Sequence, residues 1–109
     1  MATVYKVLAQ SNPSATTATT LYTVPSSTSA VVSTITICNQ AASAGTYRIA
    51  VRPAGATLAA QHYVAYDVAI AANDTTALTL GVTLATTDVV TVYASSATMS
   101  FSAFGSELS

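Results

Sequence analysis

Charge is what this 109-residue chain has least of: Asp, Glu, Lys and Arg together make up 6% of it, against about 25% in ordinary soluble domains. Lys6, Arg48 and Arg52 are the only permanent cations. They cannot build the basic stripe that neutralising a phosphate backbone requires, so no nucleic-acid partner is expected. Cysteine is nearly absent. Cys38 stands alone, so no internal disulfide can form and nothing points to an oxidising compartment. Long apolar runs are missing as well. No stretch approaches the roughly 18 apolar residues of a membrane helix, and the opening "MATVYKVLAQ" lacks the apolar core of a secretory signal. The expectation is a soluble chain, made and kept in a cytoplasm-like compartment until it assembles, with no membrane partner.

Histidine occurs once, as His62. Nucleophilic catalysis needs a base beside a nucleophile, commonly oriented by a third group. No serine lies in a nucleophile-elbow pattern. A lone histidine at a strand start reads as a surface or interface residue, so no catalytic residue is assigned and no enzyme is expected. Asp67, Asp74, Asp88 and Glu107 are scattered without calcium-loop spacing, and His62 with Cys38 falls short of a zinc set. No metal and no cofactor are expected. The "NDT" at 73–75 matches a glycosylation sequon, but without a secretion signal it reads as a turn.

What the chain has in abundance is Thr, Ser, Val and Ala, and 51% of it is hydrophobic. A small domain with so little charge tends to self-associate. The β-branched residues alternate with the period of strands, and no helix-period stripe of useful length appears. Residues 3–10 alternate, 11–20 read as a loop or covering arm, and 21–25 form a short strand stopped by Pro25. The strongest strand, 30–39, places Val31, Ser33, Ile35 and Ile37 on one face. The strand over 46–53 turns Tyr47, Ile49 and Val51 inward and Arg48 and Arg52 outward. A connection with a short helical turn leads to 62–70, where Val64, Tyr66, Val68 and Ile70 share the inner face and Tyr63, Ala65 and Asp67 the outer one. Asn73–Asp74 turn the chain. Gly81 interrupts 75–84 as a bulge or bend. Residues 88–95 and 98–105 read as a final hairpin.

About eight short antiparallel strands at this spacing predict an all-β, single-domain β-sandwich of jelly-roll or immunoglobulin-like type over 1–109. Residues 1–20 would supply an N-terminal strand plus an irregular arm able to wrap a partner. An outer-membrane barrel is disfavoured, because the strands read as shorter than the roughly 9–11 residues a bilayer demands. Threonine spacing drifts too much for an ice-binding array.

The arginines Arg48 and Arg52 lie four apart on one strand face. If 46–52 pairs antiparallel with 62–70, outward parity sets Arg48 beside Asp67 and Arg52 beside Tyr63. Two readings stay open. One is a cross-strand ion pair in a lone chain. In the other, the same face meets another subunit, where a desolvated fork fixes register. Arg48, Arg52, Tyr63 and Asp67 are therefore the candidate interface residues. Among the tyrosines, Tyr47 and Tyr66 are assigned to the core by parity. Tyr63 is the best candidate for partner contact, and an exposed tyrosine platform for sugar is the alternative.

The succession "LYTVP", "VVSTITICN", "TYRIAVRPAGATLAAQHYVAYD" and "ANDTTALTLGVTLATTDVVTVYASSATMSFSAFGSEL" resembles small virion structural proteins of tailed bacteriophages, including those infecting cyanobacteria. The likeness spans nearly the whole chain and is similar in kind to capsid decoration, or cement, proteins. It implies a non-enzymatic β-sandwich that oligomerises, commonly as a trimer, and binds the major capsid protein or another virion protein, so that the mature location is the virion. It transfers no site residues. A tail, baseplate or fibre component binding host glycan is the alternative, and an unrelated lectin-like binding module a third.

Overall fold

The computed structural model describes residues 2–109. The chain is all-β: β1 (Thr3–Ser11), β2 (Thr19–Thr23), β3 (Ser29–Asn39), β4 (Gly45–Arg52), β5 (Tyr63–Ile70), β6 (Thr75–Leu84), β7 (Val89–Ala94) and β8 (Met99–Leu108). Two single 3-10 turns, Pro53–Gly55 and Ala60–His62, lie between β4 and β5. One four-stranded sheet has the order β1-β8-β3-β6 and the other β2-β7-β4-β5.

The antiparallel pairs β1·β8, β2·β7, β3·β6 and β4·β5 are nested, as if one long hairpin had been rolled around itself. That winding is the jelly roll. It excludes the immunoglobulin-like order, since β4 and β5 are the only consecutive strands that pair. The reading of β7 and β8 as a hairpin is overturned for the same reason. They lie in opposite sheets, and the turn between them crosses the sandwich.

The core fills the space between the sheets. Val32, Ile35, Ile37, Phe101 and Ala103 come from one layer, and Tyr47, Ile49, Val90 and Val92 from the other, all buried. The Tyr47 and Phe101 rings meet edge to face at 6.4 Å. Alternation carries Tyr47 and Ile49 inward as expected, while Ala50, expected outward, is buried too and Val51 is half-buried. In β3 it breaks: Val32 is buried whereas Val31 is 39% exposed. Val32 pairs with Gly105 and Thr34 with Phe104, which leaves Ser33 as an extra residue. The bulge shifts the inward set by one position, and the Ser33 hydroxyl donates to the Phe104 carbonyl at 3.0 Å. The bulge expected in β6 is present, with Gly81 at φ 62° and residues 80–81 skipped by the ladder.

The N-terminal segment is not a free arm. Thr3–Ser11 pairs along β8, Asn12 donates to the Met99 carbonyl at 2.6 Å, and Pro13 is buried. Met1 lies outside the described residues. Strands β1, β3, β6 and β8 run to 9, 11, 10 and 10 residues, β6 with the limits expected and the other three longer by one or two residues, so strand length does not argue against a barrel. The topology does, because the sheets stay separate around a packed interior.

Candidate functional site

The two outer faces of the sandwich are chemically unlike, and the difference starts with where the few charges go. On the β2-β7-β4-β5 sheet, Arg48 points outward from β4. Its Nε–H donates to Asp67 Oδ1 at 2.6 Å and an Nη2–H to Oδ2 at 3.3 Å. Its guanidinium carbon stands 4.2 Å from the ring centres of both Tyr66 and Tyr93, a cation–π sandwich. A bulge makes this possible. Tyr47 pairs with Val68 and Ile49 with Ala65, so Tyr66 and Asp67 together oppose Arg48. With Asp67 at φ 50°, both side chains reach one guanidinium that strict alternation would have divided between two faces.

The pairing of Arg48 with Asp67 is therefore as read from the sequence. Other assignments on β5 are corrected. Tyr66 is 57% exposed, and Val64 is exposed too, while Ala65 packs against the core. Arg52 does not meet Tyr63. The β4·β5 ladder ends at Ala50 and Tyr63, and Arg52 turns to β7, donating to Thr91 Oγ1 at 3.0 Å and to the Ala56 carbonyl at 3.1 Å. It thereby pins the 53–59 loop across its own sheet. Tyr63 packs edge to face on Tyr66 at 4.9 Å. The pair lines an open cleft of about 690 Å³ with Leu58, Ala59 and Ala60. His62, expected as a surface or interface residue, is buried within the chain, and its Nδ1 accepts the Ala59 N–H at 3.0 Å. Among the described residues no three His, Cys, Asp or Glu side chains gather.

A second charge cluster had no place in the sequence reading. Lys6 Nζ lies 2.8 Å from Glu107 Oε1, and the Tyr22 hydroxyl donates to Glu107 Oε2 from the opposite sheet. The one available signal is rarity: Lys6 and Glu107 are the sole lysine and glutamate of the chain. The remaining acids are also occupied. Asp88 accepts the Ala54 and Ala85 N–H groups, each at 2.8 Å, and Asp74 that of Thr75. Each acid thus fastens the chain to itself.

These contacts shift the titration of their members. The Lys6 ammonium, then the Tyr22 hydroxyl, hold the Glu107 carboxyl below its ordinary 4.5. The bond from Arg48 holds Asp67 below its ordinary 3.8, and the same bond raises Arg48. Burial first, then Glu107, pushes Tyr22 far above its ordinary 10.0. The folded values of Glu107 and Asp67 lie below their unfolded ones. Their stabilisation is thus present above about pH 4.5 and lost as pH falls through the folded values. Tyr22 has the opposite sense, with stabilisation present below pH 10 and lost above it. Thermal melts across pH should show a plateau with two falling limbs. Glu107→Gln is expected to shrink the acid limb. Tyr22→Phe should shrink the alkaline limb and cost about 1.5–3 kcal/mol at neutral pH. Limbs that survive both substitutions at full size would remove this account.

The outer face of the β1-β8-β3-β6 sheet is the contrasting one. Register aligns Tyr5, Ser106, Val31 and Thr83 in one row. Val7, Phe104, Thr34 and Thr79 make the next, and Gln10, Ser102, Thr36 and Ala77 a third. These rows carry no ionisable group except the tyrosine hydroxyl. Tyr5 is 84% exposed and Val7 50%. Cys38, a free thiol, sits on the same face beside Ser100.

The fold and its faces define a jelly-roll sandwich with the Arg48–Asp67 pair on one outer face and, on the other, rows free of ions beside the Lys6–Glu107 pair. No family model, curated protein or solved structure matches the chain.

Proposed function

We propose that this protein is a non-enzymatic structural subunit of a bacteriophage virion, a decoration-type protein that coats and stabilises the head shell as an oligomer. The observation that carries the reading is the nearly uncharged outer face of the β1-β8-β3-β6 sheet with Tyr5 84% exposed on it. A face whose one cation, Lys6, is already paired with Glu107 loses little on desolvation, and an exposed apolar patch marks a surface that docks. The jelly-roll winding adds a fold-level analogy, since viral coat domains use it among other functions. Mechanistically, each copy contributes contact energy between neighbouring shell subunits, and many copies bound at once oppose the outward pressure of packaged DNA. Internal fastening by Arg48–Asp67 and Lys6–Glu107 keeps the module rigid, so little ordering entropy opposes docking.

Counting and locating this chain on purified particles tests the reading. The expected result is a copy number in the hundreds on the head, with shells lacking the protein releasing DNA at lower temperature. A handful of copies, or none, overturns it. The Tyr63–Tyr66 cleft favours a second reading, a tail, baseplate or fibre component that stacks a host sugar ring on exposed tyrosine. On that reading, saccharide titration should shift the tyrosine NMR signals of the wild type and not of Tyr66→Ala. Tail labelling in micrographs separates the two.

A further inference from the structure

We infer that the nearly uncharged outer face of the β1-β8-β3-β6 sheet is where one copy of this chain docks onto another, with Tyr5 of each copy seated in a groove of its neighbour. The inference rests on the oligomer of the virion reading and deepens it, but its test uses the purified chain alone, so its failure is distinguishable from a failed copy count on particles.

Both halves of such a contact are present on the same face. The projecting half is Tyr5, 84% exposed on the edge strand β1. The receiving half is an open groove of about 630 Å³ running over β8. Val7 and Tyr5 line it from β1 and Val31 from β3, with the small residues Gly105 and Ser106 between them. Gly105 pairs with Val32 beside the Ser33 bulge and contributes backbone to the lining. A projection and a groove on one patch let copies of a single chain complete each other in a closed assembly.

Charge points to the same occupant. A surface that meets its own copy meets its own charge pattern, so an ionised group near the contact faces a like charge. The rows of this face contain none. The one ion at the groove, Lys6, is already held by Glu107 at 2.8 Å. Both arginines are on the other sheet, engaged with Asp67, Thr91 and Ala56.

The available area is sufficient. Four strands about 4.8 Å apart and ten residues long cover roughly 19 Å by 33 Å, or about 600 Å² per copy. That footprint fits within the 45 × 27 Å extent of the molecule. Two such faces bury about 1,200 Å², the lower bound for a specific, stable interface. Burying one tyrosine and two valines beside a Lys6 already paired with Glu107 leaves apolar contact as the main term, which salt screens little.

Sedimentation equilibrium of the full chain, from micromolar to millimolar concentration and at low and high salt, tests this. The expected result is a closed dimer or trimer of the 11.0 kDa chain, with an association constant that salt leaves unchanged. Tyr5→Ser removes only a projecting side chain, and Val31→Lys adds a charge to the face. Each is expected to weaken association at least tenfold while circular dichroism and the thermal melt of the dissociated chain stay as in wild type. Thr57→Lys, exposed on the other side of the sandwich, should leave association untouched. A monomer at every concentration overturns the inference. So does an oligomer that Tyr5→Ser leaves intact, or one that high salt dissolves.

Discussion

Gly105→Ala is expected to yield insoluble protein, or a chain destabilised by more than about 4 kcal/mol, the range reserved for gross packing or backbone conflicts. A Cβ built on Gly105 lies 1.9 Å from the Val31 carbonyl oxygen, 2.9 Å from its carbon and 3.1 Å from Val32 Cα. All three atoms are backbone of the central strand β3, so no rotamer change relieves the clash. Strand β8 would have to leave β3 at the bulge, and β8 also holds β1, so one added methyl group strains half of the sheet. Gly81→Ala supplies the comparison. Gly81 has open space around its Cβ position but a φ of 62°. Alanine there is expected to cost about 1–2 kcal/mol, the ordinary expense of left-handed backbone. Chemical denaturation of the two variants checks the contrast. Equal losses would mean that backbone conformation, and not contact with β3, makes glycine necessary at 105.

Asn39→Leu, close in size, is expected to lower stability by about 3–5 kcal/mol by orphaning polar backbone groups. Asn39 is 1% exposed at the end of β3. Its Nδ2–H groups donate to the Ser43 carbonyl at 3.0 Å and the Ala71 carbonyl at 3.1 Å, and its Oδ1 accepts the Ala41 N–H at 3.1 Å. One amide thus joins the β3–β4 loop to the β5–β6 turn, segments that lie in loops of different parts of the sequence. Each buried group left unpaired costs about 1–3 kcal/mol, and water reaching the loop carbonyls keeps the sum below the maximum. For a domain of this size the melting temperature should fall by roughly 15–25 °C. A loss under about 1 kcal/mol would show that the loops hold together without the amide.

Both residues mark what sequence reading recovers and what it misses. Asn39 stands at the end of a strand whose limits, 30–39, are legible from β-branched alternation and differ from Ser29–Asn39 by one residue. Ala41 and Ser43 lie in the loop that directly follows it, but Ala71 is not legible as a partner, because only the roll brings it there. Gly105 lies at the end of the run 98–105 and carries no local cue, since the atom that excludes a side chain comes from Val31. Similarly, Arg48 and Asp67 were legible as a cross-strand pair because β4 and β5 are sequence neighbours in an antiparallel ladder. Tyr66 was assigned to the core because parity counts residues and cannot see that two of them oppose one at the bulge.

The amino-acid sequence by itself determined the all-β class, the approximate strand limits, the turn at Asn73–Asp74, the bulge at Gly81, and the scarcity of charge. Each of these rests on local chemistry: β-branching, backbone preference and composition. Only the tertiary structure decided which strands pair apart from β4 with β5, which way Val31 and Tyr66 face, what Arg52 bonds, and that Lys6 and Glu107 meet across β1 and β8. Strand pairing in a jelly roll joins residues as far apart as Thr3 and Leu108, and a bulge reverses inside and outside with one extra residue. Sheet faces are therefore set by nonlocal register, and a local pattern carries no record of it.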